Sequence, residues 1–318
     1  MSRDAGPAWR ALVTLGRVGL AAAILAYLLR ATSPGRVLDA ARSATPAALV
    51  AAFLFALLAH VLVADRLRRV VEALGMRLST PALLEINLAT VFYGLVLPAG
   101  NVTGILARFY KLSRRERNYA GIAVALGYER LVATATLCVV GIGFWLLDRG
   151  APWPPLALMV AAFAALLVLH VAIFGGSSGP LDGIRHVFGR LLPRRAASLR
   201  EALRDSRGLP RPTVVAVAGL SLLTHALGIA AFGVVAGALD LELSIATVAW
   251  TRSAALLVAI LPISVAGLGV REGAMVALLA PYGVPAADAL TYSLLAFVTT
   301  VLAVGAVGGL TEARRVLR

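Results

Sequence analysis

Twice in this chain a Leu-Pro interrupts a long apolar run, glycines follow, and an arginine closes the motif. The first copy is Leu97-Pro98-Ala99-Gly100-Asn101-Val102-Thr103-Gly104-Ile105-Leu106-Ala107-Arg108. The second is Leu261-Pro262-Ile263-Ser264-Val265-Ala266-Gly267-Leu268-Gly269-Val270-Arg271-Glu272. Such breaks put bare backbone and ionised side chains where hydrocarbon would otherwise be, and hydrocarbon tolerates neither unless protein or water reaches them. The breaks matter because the rest of the chain is so apolar. Its hydrophobic fraction is 60% and its mean hydropathy +0.87, beyond what a soluble core needs. The expected fold is all-α, a polytopic helical membrane protein, with residues 1–318 forming one integral membrane domain.

A spanning helix needs about 20 apolar residues. Runs of that kind cover about 11–29, 46–64, 119–147, 154–174, 212–237 and 286–311. That predicts about six full spans, plus two broken helical hairpins at 82–110 and 245–281. The run 11–29 follows Arg3 and Arg10 as a signal peptide would, but Arg17 interrupts it and no small-residue cleavage site follows. It reads as a retained first helix. The polar stretch 175–211 carries eight arginines against Asp182, Glu201 and Asp205, and part of it has the spacing of an amphipathic surface helix.

Arginine placement orients the chain. Segments 65–77, 111–118 and 175–211 and the C-terminus are rich in arginine, and the positive-inside rule makes them cytoplasmic. The link 238–243, with Asp240 and Glu242 and no base, is then external, and the N-terminus is cytoplasmic. With 65–77 and 111–118 on one side, residues 82–110 enter and leave from the cytoplasm. Residues 245–281 then dip in from outside, or form two full spans; charge counting leaves both open. Residues 46–147 and 212–311 thus read as an inverted repeat, each half a helix, a broken hairpin and a helix, as in many transporters.

After each break a half-helix begins, at about Gly104 and about Leu268. Its free N–H groups and dipole suit a phosphate or carboxylate. Arg108 and Arg271 lie on these half-helices and can grip a phosphate with a planar fork; the plainer alternative is kinked helices with snorkelling arginines. Tyr128-Glu129-Arg130 lies ten residues into the span 119–147, about 15 Å deep. An ionised group there costs about 2.5–3.5 kcal/mol, so partners are required. Neighbouring positions point about 100° apart, so Glu129 is expected to pair with a hairpin arginine, first of all Arg108. Arg252 is a further candidate of the same kind. His60 and His225 read as hydrogen-bonded packing residues.

The remaining signals exclude more than they assign. Cys138 is alone and the histidines are scattered, so no metal site and no cofactor is expected. The net charge of +14 sits beside apolar spans rather than on a basic module, which argues against nucleic acid. No nucleophile elbow, P-loop or zinc motif is present, so no catalytic residue is assigned and the chain is not expected to be an enzyme.

The blocks Leu97-Pro98-x5-Gly104-x3-Arg108, Glu129-Arg130 and Pro262-Ile-Ser264-x2-Gly267-Leu-Gly269-Val-Arg271-Glu272 resemble the signature blocks of the lysylphosphatidylglycerol synthase transmembrane region, a flippase-like membrane family. In the first block Ala99-Gly100-Asn101 stands where a Pro-Gly-Arg form is often seen. The resemblance implies the lipid-transport half of that system, in a stand-alone member without the synthetase domain. The expected ligand is an anionic phospholipid, aminoacylated in the two-domain members, or a polyprenyl-phosphate lipid at the bacterial inner (plasma) membrane. The residues expected to line its site are Arg108, Glu129, Arg130, Arg271, Glu272, Gly104, Ser264, Gly267 and Gly269, with Pro98 and Pro262 as the hairpin breaks. Glu129 and Glu272 would balance charge or receive an ammonium. The alternative role is an accessory for polyprenyl-phosphate-linked glycosyl transfer, with a separate lipid-modifying enzyme or glycosyltransferase as partner.

Overall fold

The computed structural model describes residues 44–97, 101–174, 209–260 and 268–316, with the single positions 35, 38, 39, 42 and 201. All regular elements among them are helical: α1 Pro46–Ala73, α2 Thr80–Val96, α3 Asn101–Ser113, α4 Tyr119–Leu147, α5 Trp153–Phe174, α6 Arg211–Ala238, α7 Ile245–Ile260, α8 Val270–Leu279, α9 Ala286–Phe297 and α10 Ala303–Val316. A π turn, Val298–Leu302, joins α9 to α10. Among the described residues, five stretches are long and apolar enough to cross a membrane: Pro46–Ala73, Tyr119–Leu147, Trp153–His170, Arg211–Ala238 and Ala286–Arg315. The protein is therefore a multi-pass membrane protein. The expected span at 11–29, most of the linker 175–211, and the breaking residues Pro98 and Pro262 lie outside the described residues.

Local signals explain the helix ends. Pro46 opens α1, where a proline loses no helical hydrogen bond and its fixed φ already suits the helix. The helix was expected to end near residue 64, yet it continues to Ala73. Ion pairs at helical spacing carry it on: Arg68 with Asp65 and Glu72, and Arg69 with Asp65. It stops at Gly75, whose φ of 79° is left-handed. There the Met76 N–H reaches the Val71 carbonyl and the Gly75 N–H that of Glu72, a closure that glycine permits without strain. At the start of α4 the Asn118 side chain accepts from the Gly121 N–H at 2.8 Å.

Two pairs of short helices interrupt the long ones. Helices α2 and α3 pack against each other, as do α7 and α8, so both broken hairpins are present as helix pairs. They open at opposite ends of the molecule. The outer ends of α2 and α3 meet where α4 begins: Glu85 near the start of α2 binds Arg115, just beyond α3, and Arg315 at the end of α10. The outer ends of α7 and α8 meet where α4 finishes, because Asp148 binds Thr247 and Tyr282. The 29 residues of α4 separate the two ends by about 43 Å.

Between elements, α1 packs against α6, α2 against α10 and α4 against α7. Small residues permit the closest crossing. A Cβ on Gly308 would lie 2.6 Å from the Leu88 carbonyl carbon and closer still to its oxygen, and backbone atoms cannot rotate away. Gly308→Ala is expected to cost about 1–3 kcal/mol by forcing α2 and α10 apart, read as a lower melting temperature of the purified protein. Gly104 works in the same way between the hairpin arms: its Cβ would meet the Thr90 carbonyl at 3.0 Å. The half-helix expected to begin at about Gly104 begins three residues earlier, at Asn101.

Candidate functional site

Four helices deliver polar side chains to one buried point. Glu129 of α4 is 3% exposed and Arg66 of α1 is 4% exposed. Arg66 Nε donates to Glu129 Oε1 at 3.1 Å and its Nη2 makes a second contact with the same oxygen. The remaining arm, Nη1, donates to Ser221 Oγ of α6 at 3.0 Å, and that hydroxyl donates to the Val217 carbonyl at 2.7 Å. From α3, Arg108 Nη1 donates to Glu129 Oε2 at 3.1 Å. The expected Glu129–Arg108 pair is therefore formed.

Two guanidiniums share this one carboxylate, so the cluster retains a net positive charge. It also retains open donors: Arg108 Nε and Nη2 are enclosed and have no hydrogen-bond partner among the described residues. An enclosed donor without a partner costs about 1–3 kcal/mol, more when charged. Such a site favours an anion with several acceptor oxygens. Beside it, the Asn87 amide contacts His60 Nδ1 at 2.9 Å, so that histidine is a hydrogen-bonded packing residue as expected.

Arg130 lies at the edge of the cluster, within electrostatic reach of Glu129, Arg108 and Arg66. It lies exposed on α4, turned away from Glu129 by the step of about 100° between adjacent helical positions, and its side chain makes no hydrogen bond or ion pair among the described residues. Arg66, which was not among the expected site residues, supplies the second guanidinium on Glu129. It stands in the basic segment 65–77, whose composition conceals its position. The usable signal was its stripe: Ala64, Leu67, Val70 and Val71 are buried with Arg66, whereas Arg68 and Arg69 pair with Asp65 and Glu72 toward the surface. No sequence pattern marked Ser221.

The second hairpin is organised differently. Arg271 pairs with Glu272 and lies over the Phe297 ring, 4.6 Å from its centroid, one residue before the π turn. Glu272 is fully buried and its Oε2 accepts from the Gly269 N–H at 2.6 Å. Gly269 has a φ of 80°, a left-handed turn that glycine adopts freely. Glu272 thus fixes the start of α8 as well as neutralising Arg271. Among the described residues, no hydrogen bond or ion pair joins this pair to Glu129. Ser264 and Gly267 lie outside the described residues.

Polar contacts tie the molecule together at both ends. Near the start of α4, Glu312 Oε2 accepts from Lys111 at 2.6 Å and Tyr93 at 2.9 Å, and Glu85 holds Arg115 and Arg315. At the other end Asp148 Oδ2 accepts from Thr247 at 2.8 Å, Trp250 at 2.8 Å and Tyr282 at 2.7 Å. Burial opposes the charge on Asp148, but the hydrogen bonds from Tyr282, Thr247 and Trp250 hold its carboxyl below the usual range. Burial, with the Asp148 bond, pushes the Tyr282 phenol up to about 12. A lowered carboxyl pKa contributes stability above its unfolded value, about 3.9, that disappears as pH falls through the folded value. The melting-temperature gap between the protein and Asp148→Ala is therefore expected to be wide at neutral pH and to narrow below about pH 4. A gap independent of pH would refute the charge-dependent role.

A family model described as the lysylphosphatidylglycerol synthase transmembrane region matches residues 14–308. No curated protein matches the chain.

Proposed function

Because the chain belongs to the family of the lysylphosphatidylglycerol synthase transmembrane region, we propose that it binds a lipid with a phosphate-bearing head group and moves that head group across the bacterial inner membrane. The observation carrying this reading is the buried Arg66–Glu129–Arg108 cluster. Its net positive charge and the open Arg108 donors suit a phosphate, while the lipid tails remain in hydrocarbon. No bond is made or broken in this reading.

The packing supports an inverted repeat, with 46–147 and 212–311 as its halves. Helix α1 corresponds to α6, α2 and α3 to α7 and α8, and α4 to α9–α10. Under that correspondence the pairing of α2 with α10 becomes that of α7 with α4, and the pairing of α1 with α4 becomes that of α6 with α9. The hairpins opening at opposite ends fit the same relation. The Glu85 and Glu312 contacts would then close the cytoplasmic end and the Asp148 contacts the external end. Loosening one set at a time gives alternating access to the cluster. Both termini are cytoplasmic in this arrangement.

Reconstitution tests the function. Vesicles containing the purified protein should carry a head-group-labelled phosphatidylglycerol from inner to outer leaflet faster than empty vesicles. Rates no faster than those of empty vesicles, across a range of anionic phospholipids and polyprenyl phosphates, would defeat it.

A further inference from the structure

The two halves treat one equivalent pair of positions differently. His60 and His225 are each the fifteenth residue of a 28-residue helix, α1 and α6, and each follows a Leu-Leu-x sequence. Asn87 and Arg252 are each the eighth residue of the short helices α2 and α7. In the first half the pair satisfies itself, with the Asn87 amide on His60 Nδ1 at 2.9 Å. In the second half it does not. The His225 Nε2–H donates to the Ala133 carbonyl at 3.0 Å, but Nδ1 is enclosed without a partner among the described residues.

Arg252 stands where the first half has an amide, and its charge has no counter-ion among the described residues. Its Nε and Nη1 are enclosed and make no hydrogen bond there. The guanidinium lies over Phe232, 5.4 Å from the ring centroid, in space that Gly228 leaves open. A Cβ on that glycine would lie 3.0 Å from Nε and would overlap Nη2. Tyr292 of α9 packs edge-on against the same Phe232 ring, 5.8 Å between centroids, and is within electrostatic reach of Arg252. Tyr292 is fully buried, yet its hydroxyl has no hydrogen-bond partner among the described residues.

A lone cation beside an unsatisfied phenol in a membrane core is costly. The aromatic face offsets only part of that cost. An anion accepting from both groups would remove the rest. We propose that Arg252 and Tyr292 form a second anion site, in the half opposite the Glu129 cluster, which takes a phosphate group. The site is a statement about binding, so it stands or falls separately from lipid translocation.

The test is thermal unfolding of the purified full chain in detergent, titrated at constant ionic strength with inorganic phosphate, with phosphatidylglycerol micelles, or with chloride. Arg108→Met serves as the background, which removes the open donors of the first cluster. In that background phosphate or phosphatidylglycerol should still raise the melting temperature. Adding Arg252→Met should weaken the apparent affinity about tenfold or more, as expected for a lost charge-assisted contact. Tyr292→Phe should weaken it less and leaves the ring packing intact. Arg252→Lys, which keeps the charge, should restore part of the effect.

A response to inorganic phosphate identifies a free ion as a sufficient ligand, and a response to phosphatidylglycerol alone identifies a lipid head group. An identical response in the Arg108→Met protein with and without Arg252→Met would overturn the site. So would an equal response to chloride. Should Arg252→Met fail to fold, the Tyr292→Phe comparison decides: an unchanged affinity there overturns the proposal.

Discussion

Glu129→Ala is expected to remove about 3–5 kcal/mol of stability, the usual consequence of stripping one partner from a buried ion pair. The carboxylate lies on α4, while its cationic partners come from α1 and α3, so the substitution unties three helices at once. It also leaves two guanidiniums beside apolar neighbours with only Ser221 to accept from Arg66. Glu129→Gln should cost less, because the amide oxygen still accepts one bond although the charge is gone. Thermal melts of the purified proteins order the three. An unchanged melting temperature for Glu129→Ala would sink the account of this cluster.

Arg108→Met should separate function from folding. Arg66 still neutralises Glu129 in that variant, and methionine fills much of the vacated space. The enclosed donors proposed for phosphate are lost, however. A hydrogen bond to a charged group contributes about 1.5–3 kcal/mol, so head-group transfer in reconstituted vesicles should slow about ten- to hundredfold. Arg66→Met should behave in the opposite sense, with a marked loss of stability, since Glu129 Oε1 and Ser221 lose their donors and only the Arg108 contact with Oε2 remains. Equal translocation by Arg108→Met and the unmodified protein would remove Arg108 from the site.

Much of this arrangement was legible in the sequence because the membrane allows few alternatives. A run such as 119–147 can only be a helix, and the structure gives Tyr119–Leu147. Glu129 at mid-span required a cationic partner, and a hairpin arginine was the nearest supply. What stayed illegible was the face on which a residue lies. Arg66 stands in an arginine-rich segment, and composition alone could not distinguish the one arginine turned inward from those facing out. Arg130 adjoins Glu129 in the chain and is within its electrostatic reach, yet makes no hydrogen bond to it. Gly104 lies inside α3 and close against the Thr90 carbonyl of α2, rather than at the start of the helix.

Hydrophobic length and the cost of unsatisfied polar groups in lipid determined the helices, the two breaks, and the need for charge pairing at Glu129. These are local demands, written into consecutive residues. Which cations meet that demand depends on how α1, α3, α4 and α6 rotate against one another, and only tertiary packing sets those rotations. The same packing leaves nitrogens of Arg108 and of Arg252 enclosed and without a partner among the described residues. Sequence proximity could reveal neither, because a missing partner is a property of the space around a side chain.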